Sequence, residues 1–231
     1  MDEYTIDVIE SAPFAQMAYV LWRPGRTDAV VVDPGFDAQT IVELLKGDGR
    51  EPAAILNTHG HIDHIAGNAA LKEAYPDAPL VIGRNEASLL TDAELNLSGP
   101  FGVPVSSPPA DRLLDDGETF EYGGFTFRAL EIPGHSPGSM VYLCEDFQPP
   151  FIIGGDVLFA GSIGRPDFPG GDFELLMSGI VAKLLTLADD VRIHPGHGPA
   201  TTIGAERRSN PFVRDFLARP NPPGTPDSLG Q

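Results

Sequence analysis

Short apolar runs with strand-like alternation break at polar turns and give way to segments whose apolar positions recur at helical spacing. Residues 4–9 alternate and predict a strand. Residues 17–22 and 29–32 predict two more, parted by the turn Arg23-Pro24-Gly25-Arg26. The third stops at Asp33-Pro34-Gly35, which reads as a turn. Residues 38–46 place Ile41, Leu44 and Leu45 on one helical face, with Asp37 as the cap. Residues 53–56 form a short buried strand that runs into Asn57-Thr58-His59-Gly60-His61-Ile62-Asp63-His64. A helix fits 65–75 and ends at Pro76; 80–82 is a strand, and Asn85 caps a helix through Leu90. Residues 99–110, rich in Pro and Gly, read either as a connector between two halves or as a wall over a site.

The second half repeats this outline. Residues 120–122 and 125–130 form a hairpin across Gly123-Gly124. Residues 140–144 and 151–153 are strands. Asp172 caps a helix reaching about Leu187, with Leu176, Ile180, Leu184 and Leu187 on one stripe. The strand 191–193 ends in His194-Pro195-Gly196-His197-Gly198, and Asn210-Pro211 caps a last helix through Leu217. Strands followed by helices in both halves imply packed sheets with helices outside, an α/β (α+β) domain over 1–219, with 220–231 as a disordered tail.

Composition narrows the function. Of 231 residues, 33 are Asp or Glu and 15 are Lys or Arg, a formal charge of −18. Such a surface repels phosphate backbones and anionic lipid, which argues against nucleic-acid and membrane partners. At 42% apolar the chain is not a disordered one. Its apolar runs are too short to span a bilayer. The one cysteine, Cys144, excludes an intrachain disulfide and packs in a strand as a small apolar residue. The opening Met1-Asp2-Glu3 is acidic where a secretory signal needs positive charge, so the expected location is the cytoplasm. The oligomeric state is left open.

Three of the six histidines fall between positions 59 and 64, with Asp63 among them. His59 and His61 alternate outward from an extended segment; Asp63 and His64 lie at a helix start. One metal seldom takes four ligands from six such residues, whereas two adjacent metals can. His135, Asp156 and His197 each lie just past a strand and beside glycines that permit close backbone approach. Imidazole with carboxylate suits zinc, iron or manganese alike. His194 reads as a neighbour of the site or a surface residue.

Thr58-His59-x-His61-x-Asp63-His64, followed by His135, Asp156 and His197, resembles the metallo-β-lactamase superfamily over about residues 4–218. Three segments are similar to glyoxalase II-like hydrolases: Gly155-Asp156-Val157-Leu158-Phe159, Gly164-Arg165-Pro166-Asp167-Phe168, and His197-Gly198-Pro199 through Asn210-Pro211-Phe212. The resemblance implies an αββα four-layer sandwich with the site at one edge of the two sheets. It implies His59, His61 and His135 on one metal, Asp63, His64 and His197 on a second, and Asp156 bridging both. A hydroxide between the metals, oriented by Asp63, would attack a thioester carbonyl. The implied substrate is a small-molecule thioester, S-D-lactoylglutathione or a related hydroxyacyl thioester.

The chain departs from glyoxalase II proper. Only 34 residues follow His197, as in the short bacterial "type II" form. Arg214 is the one base in Val213-Arg214-Asp215-Phe216-Leu217-Ala218, which follows Asn210-Pro211-Phe212, and Asp167 and Pro199 stand where aromatic contacts are expected. Arg165 keeps a basic residue where the family has one and is a candidate substrate contact. The resemblance therefore implies intact metal chemistry and a reduced glutathione grip. The alternatives are a mononuclear-iron persulfide dioxygenase of the same superfamily and another of its hydrolases, such as a lactonase. Pro195-Gly196-His197-Gly198-Pro199 favours a hydrolase.

Overall fold

The runs Ala29-Val30-Val31-Val32 and Phe151-Ile152-Ile153 are apolar on both faces, which requires a sheet covered on both sides. The computed structural model, which describes residues 3–220, meets this with two six-stranded sheets packed face to face. The first runs, in spatial order, Thr5–Ser11 (β1), Gln16–Trp22 (β2), Asp28–Val32 (β3), Glu51–Leu56 (β4), Leu80–Gly83 (β5) and Arg112–Leu114 (β6). Its first three strands are antiparallel and its last four parallel. The second sheet takes Thr119–Tyr122 (β7), Phe125–Glu131 (β8), Met140–Cys144 (β9) and Phe151–Gly155 (β10). After a small hairpin of Leu158–Phe159 (β11) and Ser162–Ile163 (β12), it gains Arg192–Pro195 (β13) and Thr201–Thr202 (β14). Its order is β14-β13-β10-β9-β8-β7, with β10 and β13 parallel.

Side-chain alternation assigns the layers. Tyr19, Leu21, Val30, Val32 and Leu56 meet Phe125, Phe127, Tyr142 and Phe151 between the sheets. The opposite set, Ala18, Val20, Val31 and Ile55, packs under Ala38–Gly47 (α1), Ile62–Ile65 (α2) and Asn68–Ala74 (α3). Val141, Leu143, Ile152 and Ile193 pack under Phe173–Gly179 (α4), its π-helical continuation Ile180–Leu184, Ile203–Ser209 (α5) and Pro211–Leu217 (α6). The αββα order is the expected one. Cys144 lies in the central layer, where burial pushes its thiol up to about 12. No helix among the described residues is long and apolar enough to cross a membrane.

Several local expectations change. The helix expected over 65–75 is two short ones, because Gly67 lies hard against the 34–35 turn. Its N–H donates to Pro34 O at 2.6 Å, and a Cβ there would lie 2.6 Å from Gly35 O. Asp37 does not cap α1; its Oδ2 accepts from Ala12 N instead. Residues Arg84–Leu90 form a 3₁₀ helix, and Asn85 donates to Glu131 rather than capping it. Strands β6, β11, β12 and β14 are too short for periodicity to reveal, and α5 has too few apolar positions to show any. The 99–110 segment is not the link between halves, since β6 follows it and still belongs to the first sheet. The crossing falls at 115–118. The expected tail lies, apart from Pro220, outside the described residues.

Asp172 caps α4 as expected: its side chain accepts from Glu174 N and Leu175 N. Asp172→Ala is expected to cost about 1 kcal/mol, checked as a shift in the urea midpoint at unchanged m-value.

Candidate metal centre

The seven candidate ligands leave the sandwich at one edge, each past the C-terminal end of a strand. His59 and His61 follow β4, and α2 carries Asp63 and His64. His135 lies in the loop after β8, Asp156 directly after β10, and His197 two residues after β13. The two sheets are tied here. Met140 N donates to Thr58 O at 2.7 Å, and Met17 N to Gly196 O at 2.7 Å. The 59–64 segment follows the first sheet and the other three ligands follow the second, so neither half of the chain assembles the cluster alone.

The structure brings all seven together. His59, His61 and His135 form one group whose ligand atoms lie within 4.8 Å of one another. Asp63, His64 and His197 form another, and His59, His64 and Asp156 a third that joins the two. His135 Nε2 lies 3.0 Å from His61 Nδ1 and 3.2 Å from His59 Nε2. Asp63 Oδ2 lies 3.1 Å from His197 Nε2. Asp156 Oδ2 is 3.5 Å from both His135 Nε2 and His197 Nε2, while its Oδ1 is 3.4 Å from His64 Nε2. Gly196 makes room for this: a Cβ there would run into Asp156 Oδ1 and come within 2.7 Å of His64 Cε1.

The donor set fits divalent cations. His61 Nε2, His64 Nε2 and Asp156 Oδ1 are buried without a hydrogen-bond partner in the protein, a state buried polar groups rarely keep without an ion or water. Burial pushes the imidazoles of His59, His61 and His135 down, that of His61 to about 3, so they are neutral with lone pairs to give. Burial also opposes charge on His64, but Asp63, Asp33 and Asp156 together outweigh it and hold its pKa well above the usual value. Burial of Asp156 is likewise outweighed, chiefly by His64, and its carboxyl stays ionised. His197 is raised by Asp63 and Asp156 against its own burial. Cations, or protons in their absence, would balance the carboxylates.

Sequence reasoning missed two side chains that hold the ligands. Asp33, in the stretch read as a turn, is fully buried at a positive φ of 51°. Its Oδ1 accepts from Thr58 N at 2.7 Å, and its Oδ2 from Thr58 Oγ1 at 2.7 Å and His64 Nδ1 at 2.9 Å. This aims His64 Nε2 at the cluster. Thr58 Oγ1 also lies 3.2 Å from His59 Nδ1. Glu86, fully buried, accepts from Gly60 N, Gly138 N and Ser136 Oγ, and so binds the loop of His59 and His61 to that of His135. Asp33→Ala is expected to weaken metal binding about 10–100-fold, measured by competition with a chromophoric chelator. His194 does not support the cluster; its ring meets Tyr19 and Phe151 edge-on. His135 Nδ1 pairs with the carbonyl of Arg165, not its side chain.

Imidazoles and carboxylates gathered at one edge of an αββα sandwich make a candidate metal centre. The chain belongs to the metallo-β-lactamase superfamily, whose family model matches residues 12–197. It is 41% identical over 188 residues to the probable metallo-hydrolase YqgX of Bacillus subtilis, covering 81% of this chain and 88% of the relative. It is 37% identical over 211 residues to the hydroxyacylglutathione hydrolase GloC of Haemophilus influenzae, covering 90% and 97%. The crystal structure of the BLEG-1 B3 metallo-β-lactamase superimposes with a TM-score of 0.85 at 39% identity, covering 90% of this chain and 99% of that one.

Proposed function

We propose that this metallo-hydrolase is a binuclear hydrolase of hydroxyacyl thioesters, with S-D-lactoylglutathione as the reference substrate. One observation carries the binuclear reading: the Asp156 carboxylate stands 3.5 Å from both His135 and His197, within reach of both halves of the cluster. His59, His61 and His135 would hold one divalent cation and Asp63, His64 and His197 a second, with Asp156 between them. Bound there, zinc, iron or manganese supplies Lewis-acid polarisation of a carbonyl and acidifies water toward neutrality.

The chain's own residues do the rest. Asp63 accepts a hydrogen bond from the attacking water and orients it toward the carbonyl carbon. His59, His61 and His135, kept neutral by burial, offer lone pairs at neutral pH. Asp33 and Glu86 fix the loops so that these groups need not reorganise during turnover. The water oxygen bonds to the carbonyl carbon and gives up a proton to solvent, the C–S bond breaks, and the sulfur leaves as a thiolate, which needs little help from an acid. GloC, related along nearly its full length, supports the thioester, while the BLEG-1 likeness makes the β-lactam amide the bond to test beside it.

The test is metal content per chain together with loss of thioester absorbance from S-D-lactoylglutathione and turnover of nitrocefin, a β-lactam. About two metals per chain with thioester loss is expected. Nitrocefin turnover without thioester loss would replace the reading with a β-lactamase. One iron per chain with oxygen uptake on glutathione persulfide would replace it with a dioxygenase.

A further inference from the structure

The cluster opens into a cavity of about 390 Å³, near the small end of ligand cavities, which run from about 300 to 1,000 Å³. Apart from ligand side chains, its walls are Phe14, Ile62, Leu97, Phe101, Phe159 and Phe168, with Arg165 the one cation among the described lining residues. That guanidinium sits in an exposed ion pair. Arg165 Nε and Nη2 donate to Asp167 at 2.9 and 2.8 Å, and the guanidinium lies 4.3 Å from the Phe168 ring centroid. Arg214, on α6, does not line the cavity. In a chain of net charge −18, a polyanionic substrate would meet no unpaired cation here and a repulsive field outside.

The aromatic wall continues past the cavity rim. Phe14 stacks on Phe36 at 5.9 Å and meets Phe101 edge-on at 5.6 Å. The three rings come from three separate loops: the β1–β2 turn, the segment before α1, and the 99–110 segment. Phe101 is 54% exposed and Phe36 36%. Apolar surface gathered at the rim of a site is characteristic of ligand contact. Phe168, deeper in, abuts His61 at 5.5 Å and His135 at 6.0 Å. A carbonyl drawn to the cluster therefore has one of its two substituents against phenyl rings.

We infer that this cavity selects thioesters whose acyl group carries an uncharged apolar substituent of about phenyl size, with Phe14, Phe101 and Phe168 as specificity-determining walls, and that it gains little from glutathione on the leaving side. This rests on the thioester reading above and narrows its substrate class.

The test crosses two acyl groups with two thiols: D-lactoyl and D-mandeloyl, each as the glutathione and the N-acetylcysteamine thioester. On the metal-loaded protein, mandeloyl is expected to exceed lactoyl in kcat/KM by about ten- to a hundredfold, the value of burying a phenyl ring. That ratio should fall severalfold in Phe101→Ala, and the two thiols should differ by less than about threefold. A binding experiment stands beside the kinetics. S-benzyl-N-acetylcysteamine, which is not hydrolysed, should bind more tightly by calorimetry than S-methylglutathione and lose that advantage in Phe101→Ala. Phe101 is exposed, so its truncation leaves the core intact. Equal turnover of the two acyl groups, or a tenfold preference for glutathione, would overturn the inference and leave thioester hydrolysis standing. If none of the four thioesters is hydrolysed, the thioester reading falls. Tight benzyl binding that depends on Phe101 would then preserve the apolar subsite, and weak binding would remove both.

Discussion

Asp156→Ala is expected to lower kcat/KM by at least about a thousandfold, more than loss of a single oxyanion donor usually costs. The carboxylate stands between two sets of imidazoles, and no other side chain of the cluster contacts both His135 and His197 from one atom. Its loss also leaves His64, with its pKa held up by three carboxylates, with one fewer. Metal content should fall from about two per chain to one or less, measured by atomic absorption beside the kinetics. The far-UV spectrum should be unchanged, because Asp156 follows β10 rather than pairing within it. Full metal content with full turnover in this variant would remove the bridging role and with it the binuclear mechanism.

Glu86→Ala should have the largest effect on stability. The side chain is fully buried and accepts at 2.8 Å from Gly60 N, 2.6 Å from Gly138 N and 2.8 Å from Ser136 Oγ. Burial pushes its carboxyl pKa up, opposed by the Ser136, Gly60 and Gly138 donors. Alanine strands the buried Gly60 and Gly138 N–H groups at about 1–3 kcal/mol each, while Ser136 Oγ keeps Ser139 Oγ as a partner, for a loss on the order of 4 kcal/mol. In a chain of this size that is about 10 °C in Tm, read by calorimetry on the metal-free protein so that ligand linkage does not contribute. The loops it joins carry His59, His61 and His135, so metal affinity should fall as well. An unchanged Tm would show that water replaces the carboxylate and that the clamp is not needed.

These two residues mark how far the sequence could be read. His59, His61, Asp63 and His64 were legible because four metal-ligating side chains crowd into six positions, and His135, Asp156 and His197 because each lies past a strand beside glycine. The strands were legible where both faces are apolar. Asp33 and Glu86 were not, because what they do depends on contacts across 25 to 52 residues of sequence. On its own, Asp33-Pro34-Gly35 is a turn and Glu86 a polar residue in a short helix. Helix α5 was missed for another reason: Ile203-Gly204-Ala205-Glu206-Arg207-Arg208-Ser209 has a single large apolar residue and so no periodicity. Its stability comes from Thr202 capping Ala205 N and from Glu206, whose carboxylate accepts from Gly161 N, Thr201 Oγ1 and Asn210 Nδ2.

The division of the cluster between the two sheets has a mechanical consequence. Four of its side chains follow strands of the first sheet and three follow strands of the second, with 115–118 the only covalent crossing between them. Ions seated among them would act as a rivet through the sandwich, made from residues up to 138 positions apart (His59 to His197). Because that geometry does not exist in the unfolded chain, the rivet adds to the native state alone. A chain nicked within 115–118 should therefore stay in one piece while metal-loaded, and its fragments should part more readily once a chelator withdraws the ions.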